Sequence, residues 1–279
     1  MSAGYTGVVK TAQEYYDSDD ADNFYFHVWG GKDIHIGLYE GADDDIAAAS
    51  ERTVAAMAER LGEVGPPTRI IDVGAGYGGA ARWLVREFGC HVTCLNLSEA
   101  QNNRNRTLNA AQGVSDRIEV VDGSFEELPF PDSVFEIAWS QDSLLHSGHR
   151  DRVFDEVDRV LRPGGAFIFT DPMQADDCPK GVLQPVLDRI HLESLGSVGF
   201  YREQARRLGW TELAFVDLTP QLVNHYTRVG EELRRRRAEL GAHVSDAYMD
   251  RMLAGLGHWV TAGKQGYLTW GILHFRKPA

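Results

Sequence analysis

Cationic side chains are in short supply: 28 lysines and arginines stand against 41 aspartates and glutamates, a net charge of −13. Such a chain repels a phosphate backbone, which disfavours nucleic-acid partners unless a local basic patch compensates. The one basic cluster, Arg234–Arg237, is interleaved with Glu231, Glu232 and Glu239, the composition of a solvated helix face. Cysteine is nearly absent as well. Cys90, Cys94 and Cys178 are odd in number and lack CxxC spacing, so they read as reduced thiols of a cytoplasmic protein, and no metal constellation stands out. No run of eighteen uncharged apolar residues is present, so no membrane span is expected. Met1–Lys10 lacks the basic-then-apolar order of a secretory signal. Internal repeats, low-complexity tracts and Ser- or Pro-rich linkers are missing too.

What is there is an ordinary globular balance, 43% apolar and 25% charged over 279 residues, enough for one well-buried domain plus an elaboration. From about residue 46, apolar runs alternate with helical patterns. The runs Arg69–Val73, Val92–Leu97, Ile118–Val121, Val134–Trp139 and Ala166–Thr170 predict strands, and Gly78–Phe88, Glu99–Gln112 and Arg150–Leu161 predict crossover helices. Glu212–Leu218 and Leu268–Phe275 complete a seven-stranded, mostly parallel α/β sheet. Two stretches stand outside the alternation: Thr11–Glu40, aromatic and punctuated by glycine, and Pro220–Gly263, largely helical. Both are expected to fold over the carboxyl ends of the strands, where open α/β sheets bind ligands. The domain organisation so read is a lid over 1–45, a core over 46–175, and a remainder over 176–279 that holds the capping insertion.

Residues Ile70–Gly79 read IIDVGAGYGG: a buried strand, then a Gly-rich turn that opens a helix. Gly74 and Gly76 let the backbone turn sharply and approach a ligand. Gly74-x-Gly76-x-x-Gly79 also satisfies the dinucleotide fingerprint, so this segment alone is ambiguous. A nicotinamide enzyme wants an acidic residue at the end of the second strand, and Asn96 stands there instead.

GSFEELPF (Gly123–Phe130) resembles the third cofactor-binding segment of class I methyltransferases, and LRPGG (Leu161–Gly165) the helix-stop turn before that family's fifth strand. A Rossmann-like methyltransferase fold and S-adenosylmethionine as cofactor are what this resemblance implies. It puts Gly74 and Gly76 under the amino-acid tail of the cofactor, with Asp72 fixing the turn. It puts Asn96, Leu97 and Gln101 at the ribose and adenine, and Ser124 and Phe125 at the adenine edge. Where many relatives have an acidic residue at the position of Ser124, this chain offers a weaker acceptor.

Tyr25–Tyr39 reads YFHVWGGKDIHIGLY, and together with YYDSDDADNF, SQDSLLH, TDPM, HWVTAG and LTWG it resembles the sarcosine/dimethylglycine N-methyltransferases, enzymes of glycine betaine synthesis. A more distant likeness is to the phosphoethanolamine methyltransferases. The implied substrate is a small amino acid, methylated on nitrogen by a monomer or homodimer; glycine or phosphoethanolamine are alternatives. In-line transfer needs a neutral amine held close to the methyl carbon. Positive charge moves from sulfur to nitrogen, so aromatic faces and carboxylates suit the transition state. An Arg fork suits the substrate's carboxylate.

On that basis Tyr25, Trp29, Tyr201 and Tyr226 are the expected cage. Arg189 is favoured over Arg202 for the carboxylate, with Lys264 either a second partner or a surface lysine. Ile34 and His35 are expected lid residues touching the cofactor, and Ser140 and Gln141 its neighbours at the end of the fourth strand. Asp142 and His146, at i,i+4 spacing, are expected on one face of a helical turn, with His146 able to accept the ammonium proton. No base is needed if the enzyme binds the neutral fraction of its substrate. The rival from another class is a non-catalytic cofactor-binding protein.

Overall fold

The sheet forms where the alternation places it: β1 (Arg69–Val73), β2 (His91–Asn96), β3 (Ile118–Asp122), β4 (Phe135–Gln141) and β5 (Leu161–Thr170). The computed structural model describes residues 18–41, 44–190 and 192–279; Tyr15 and Tyr16 of the aromatic N-terminal stretch lie outside the described residues. With β7 (Thr211–Asp217) and β9 (Gly271–Arg276), the strand order is β3-β2-β1-β4-β5-β9-β7. All neighbours from β3 to β5 pair in parallel, and β9 runs antiparallel to both β5 and β7. Alternate side chains leave opposite faces. Ile71 and Val73 therefore join Phe154, Phe167, Phe169 and Trp210 in one core layer, while Ile70 joins Leu84, Val92, Trp139 and Ile272 in the other.

Helices α2 (Ile46–Ala58), α3 (Gly79–Phe88), α4 (Glu99–Ala111) and α5 (Arg150–Val160) cover these layers. Asp45 and Ser98 start α2 and α4 by accepting from the amides of Ala48 and Gln101, the ordinary use of short polar side chains at a helix start. Two details differ from the sequence reading. LRPGG is no simple turn: it lies within β5 as an irregularity between the pairs Phe135–Leu161 and Ile137–Ala166. Leu268–Phe275 is not one strand either. Its start, β8 (Leu268–Thr269), pairs with β6 (Met173–Gln174) in a separate ribbon, and only from Gly271 does the chain enter the sheet. A Cβ at Gly271 would stand 2.1 Å from the Val216 carbonyl oxygen, so only glycine allows that entry.

Above the carboxyl ends of the strands sits a roof of helices. α1 (Asp19–Val28) contributes Phe24, Tyr25 and Val28, and the chain directly after it Trp29, to a cluster with Val229, Leu233, Met249 and Met252. The latter come from α8 (Thr219–Leu240) and α9 (Asp246–Lys264), a helical hairpin inserted between β7 and β8. Two shorter helices, α6 (Gln184–Ile190) and α7 (Val198–Arg207), complete the chain. On the outside of the hairpin, Arg235, Arg236 and Arg237 pair with Glu232, Glu239, Asp246 and Asp250. Among the described residues no helix is long and apolar enough to cross a membrane.

Candidate active site

The Gly-rich turn after β1 floors a pocket that encloses about 820 Å³ of space up to its open mouth. Gly74 and Gly76 both have positive φ, 82° and 52°. The two glycines do different things. A Cβ on Gly74 would strike the Ser143 side chain at 2.4 Å, whereas one on Gly76 would reach into the pocket, 3.6 Å from Ile34 and 4.0 Å from Gln101. The other expected residues around the pocket are Asp72, Asn96, Leu97, Phe125, Gln141, Asp142 and His146, with Ile34 and His35 from the N-terminal segment. Asn96 donates to Gln101 Oε1 at 2.9 Å, which ties the end of β2 to α4. Gln141 Oε1 accepts from Trp139 Nε1, and its buried amide nitrogen has no hydrogen-bond partner among the described residues. Ser124 and Ser140 are not among the lining residues. Ser124 turns its hydroxyl to the Glu126 amide, and Ser140 bonds Val73 and Ser143 beneath the turn.

Helix α3 has no side-chain cap of its own, since it starts at Gly78. Asp33 fills that position from the lid. Its carboxylate bonds the Ala80 amide and sits where a Cβ on Gly79 would fall, 2.2 Å away. The positive end of the helix is thus already neutralised by the protein's own carboxylate. A dinucleotide would need that place for its pyrophosphate, so the fingerprint's ambiguity is resolved against it. Burial works against charge on Asp33, yet His35 and Arg82 keep its pKa low. Burial likewise opposes a charged His35, but Asp33 and Asp142 hold its pKa above the ordinary value. Asp72 is pushed up to about 7 by burial and by Asp33.

The lid segment 35–39 crosses the site without regular secondary structure, and its backbone groups are taken up on two sides. Towards α2, Ser50, Thr53 and Arg52 donate to the carbonyls of His35, Ile36 and Leu38, and the Leu38 amide donates to Ala49 O. Towards the site, the amides of Ile36, Gly37 and Tyr39 donate to Asp142 Oδ2 (2.6 Å), His225 Nδ1 (3.2 Å) and Gln221 Oε1 (3.1 Å). Gly37 packs so tightly that a Cβ would stand 2.6 Å from that of Ala49. A segment buried between layers needs such partners for its polar groups.

Asp142 is the hinge of this arrangement. It leaves β4 with φ 51°, outside helical geometry, and only Leu144–His146 form a short 3₁₀ turn. The helical i,i+4 face expected for Asp142 and His146 is therefore not what brings them together; a strained turn does. Asp142 Oδ1 accepts from Trp270 Nε1 at 2.8 Å while Oδ2 holds the lid. Burial raises its pKa against the pull of His35 and both donors.

Ile34, Asp142 and His146 also line a second, smaller chamber of about 490 Å³. Its walls are Tyr25, Trp29, His225, Tyr226 and Trp259, with ring centroids 5.0–5.6 Å apart from Tyr25 through Trp29, His225 and Tyr226 to Trp259. Arg189 enters from α6, its Nη2 3.4 Å from Met252 Sδ and its stem over Gly255, where a Cβ would overlap Cδ at 2.0 Å. Burial, Arg150 and Arg189 push His146 down to about 4. Three of the four expected cage residues and the favoured arginine thus share one chamber.

The remaining candidates stand elsewhere. Tyr201 is fully buried in the core beneath, stacked on Phe154, and donates to Asp171 Oδ2 at 2.6 Å. Asp171 in turn accepts from the Leu145 amide, so Tyr201 supports the turn that carries His146 without facing a ligand. Arg202 points outward from α7 and is committed to Glu212 by two bonds, at 2.7 and 2.9 Å. Lys264 is exposed at the end of α9 and lines neither chamber. Sequence reading missed Asp33, Gln221, His225, Trp259 and Trp270 as site residues. Asp33 carried one readable signal, an acidic residue inside the KDIHIG run; the others gain meaning only from contacts far along the chain.

Comparison with known proteins identifies the family. A methyltransferase-domain family model matches residues 71–169. A Halorhodospira halochloris protein named sarcosine/dimethylglycine N-methyltransferase is 57% identical over 269 residues, 96% of each chain. One of the same name from Aphanothece halophytica is 55% identical, over 97% of this chain and 98% of its own. A crystal structure from Galdieria sulphuraria, given a similar assignment provisionally, superposes with a TM-score of 0.90 at 45% identity, covering 95% of this chain and 99% of its own. This chain has the class I methyltransferase fold and belongs to the sarcosine/dimethylglycine N-methyltransferase family.

Proposed function

We propose that the protein methylates sarcosine and N,N-dimethylglycine on nitrogen, ending at glycine betaine. The observation that carries this is the join between the two chambers. A pocket with an acidic floor meets a small aromatic chamber holding one arginine, and Ile34, Asp142 and His146 form the shared wall.

The residues of the first pocket suit adenosylmethionine. Asp33, Asp72 and Asp142 offer negative potential to a ligand that carries a sulfonium and an ammonium. The Gln141 amide, unbonded among the described residues, is a ready donor for its carboxylate, and Asn96 and Gln101 stand ready for the ribose. The cofactor supplies a methyl group on sulfur, which the substrate nitrogen displaces in line, leaving a thioether.

In the second chamber the rings of Tyr25, Trp29 and Tyr226 face the methylated amine, where charge appears as the bond forms. Arg189 holds the carboxylate. His146, neutral at any working pH, is too weak a base to keep the ammonium proton. The amine therefore enters as its neutral fraction, and His146 orients it or passes a proton to water. A phosphate-bearing amine would call for several convergent cations, and Arg189 is the one arginine or lysine among the described residues lining this chamber.

Methyl transfer to glycine, sarcosine, dimethylglycine and phosphoethanolamine, followed with labelled adenosylmethionine, tests the reading. Sarcosine and dimethylglycine should be methylated and phosphoethanolamine should not. Transfer to phosphoethanolamine in preference, or to none of the amino acids, overturns it.

A further inference from the structure

One polar group in the aromatic chamber is left unexplained by the cage and by Arg189. His225, on α8, is fully buried, and its two ring nitrogens have opposite surroundings. Nδ1 receives the Gly37 amide at 3.2 Å and lies 2.9 Å from the Tyr39 hydroxyl. A backbone N–H can only donate, so Nδ1 carries a lone pair and the hydroxyl beside it donates as well. The ring is therefore the tautomer with its proton on Nε2. Burial and the neighbouring charge of His35 push its pKa to about 3, so no second proton is held. Nε2 is buried and has no hydrogen-bond partner among the described residues, and the ring lines the chamber between Trp29 and Tyr226. The indole N–H groups of Trp29 and Trp259, on the same walls, are also buried without a partner among the described residues. Donors left unmet in a buried site are costly, and on the wall of a cavity a ligand or an ordered water supplies the acceptor.

We propose that His225 donates its Nε2–H to the carboxylate of the substrate, alongside Arg189, and that the lid residues Gly37 and Tyr39 set this donor by fixing the tautomer. The inference rests on the assignment of this chamber to the amino-acid substrate. It adds a neutral donor to the charged one, and it makes carboxylate recognition conditional on the lid. With Gly37 and Tyr39 withdrawn, the proton is free to sit on Nδ1, and Nε2 then turns a lone pair towards the carboxylate. A site built to bond a particular polar group discriminates strongly against analogues without it.

The test uses the full chain with His225→Phe and His225→Gln, and Arg189→Gln as the control for the chamber. N,N-Dimethylglycinamide, which lacks the carboxylate, serves as the probe. His225→Phe should raise the KM for dimethylglycine about tenfold to a hundredfold, the worth of one hydrogen bond to a charged group. Its affinity for adenosylhomocysteine should stay within about twofold, since that ligand lies in the other pocket. His225→Gln, which can offer an N–H from a similar place, should recover part of the loss. The preference for dimethylglycine over its amide should shrink in the Phe variant. Nitrogen NMR of the histidine-labelled wild type, which needs no variant to fold, should show the Nε2–H form and a downfield Nε2 proton on adding dimethylglycine. An Nδ1–H ring, or an unchanged KM in His225→Phe beside a raised KM in Arg189→Gln, overturns this proposal and leaves the chamber assignment standing. If neither variant alters KM, the chamber assignment falls, and the proposal with it.

Discussion

The Gly-rich pocket takes most of its floor from strand ends and the turns after them, whereas the aromatic chamber joins Tyr25 and Trp29 near the start of the chain to Tyr226 and Trp259 near its end. The first is polar and acidic, with glycines admitting a ligand to the backbone. The second is walled by rings, and the chain reaches it only by way of the roof. What joins them is Asp142, which spends one oxygen on the lid and the other on Trp270. On the proposed reading a methyl group passes through that shared wall. The difference teaches that the pocket proposed for the cofactor belongs to the sheet, while the chamber proposed for the substrate is an assembly of the two elaborations.

Breaking the shared wall should have the largest effect. Asp142→Ala strands the Ile36 amide and the Trp270 indole N–H, each costing about 1–3 kcal/mol when buried unmet. The expected outcome is a fall in Tm of about 5 °C or more, at about 2–4 °C per kcal/mol for a chain near this size. Activity, measured as kcat/KM, should drop at least about a hundredfold with misplacement of the lid. Wild-type melting and turnover would show that the lid is held by something else. Next comes a change confined to the chamber. Arg189→Gln should raise the dimethylglycine KM about tenfold to a hundredfold while cofactor affinity holds, as loss of a charged hydrogen-bond donor predicts. Gly255→Ala removes no chemistry but puts a methyl where the Arg189 stem runs, so it should reproduce part of that increase. Steady-state kinetics at fixed adenosylmethionine reads both.

Proton linkage separates the two halves by sign. On the cofactor side, Asp72 titrates near 7 in the fold but near 3.9 when unfolded, so between those values the native state binds the extra proton. Its contribution is present in acid and is lost as pH rises through about 7. On the chamber side, His225 titrates near 3 in the fold and near 6.5 unfolded, so its contribution is whole above about 6.5 and is lost as pH falls below it. In denaturant melts of the ligand-free protein between pH 4.5 and 6, each group contributes one proton's slope, about 1.4 kcal/mol per pH unit, in opposite directions. Asp72→Asn should make stability climb more steeply with pH, and His225→Phe should make it climb less. A slope left unchanged by either substitution would show that the group it removes titrates alike in the folded and unfolded chain.

A fourth measurement concerns the junction. His146→Gln should lower kcat by no more than about tenfold and leave the shape of the kcat/KM–pH profile unchanged, because a histidine pushed to about 4 supplies no inflection near 6.5. The rising limb should follow deprotonation of the substrate amine. Loss of a limb in the variant would restore His146 as the base.

The sheet was legible because its signal is local. Arg69–Val73 was read to the residue, and the other strands of the parallel core mostly to within a residue or two, since buried apolar runs between turn residues leave little choice. β5 is the exception, starting five residues early through the irregularity at LRPGG. Gly76 was legible for the same reason, lying in the Gly-rich turn, whereas Gln101, on the helix after the second strand, followed from the resemblance to class I methyltransferases. Asp142 and His146 were found as residues, but the helical face expected for them does not exist; a left-handed backbone at Asp142 cannot be told from a helix start by spacing alone. His225 was invisible because its meaning lies in Gly37 and Tyr39, far back in the chain. In a helical insertion, aromatic residues at core spacing look alike whether they face a core or a ligand. Tyr226 and Tyr201 illustrate this: one lines the chamber, the other stacks on Phe154.

The smallest expected effect comes from two neighbours on α7. Tyr201 was expected in the cage and Arg202 was the second choice for the carboxylate; the structure buries the first in the core and leaves the second exposed. Tyr201→Phe removes the hydroxyl from Asp171, a buried carboxyl near pKa 7 that also holds the Leu145 amide. Losing that bond should cost about 1–3 kcal/mol and loosen the His146 turn, seen as a lower kcat with KM little changed. Arg202→Ala breaks an exposed ion pair with Glu212, of the kind that contributes about 0–1 kcal/mol, and removes the guanidinium from over the Phe215 ring, worth about 0.5–1 kcal/mol at an exposed site. Its KM for dimethylglycine and its kcat should stay within about twofold of wild type, and 0.5 M salt should shrink the small stability difference. A large rise in KM for Arg202→Ala would put the substrate's carboxylate on the far side of α7, away from the aromatic rings, and the two-chamber arrangement would then have to be redrawn around that surface.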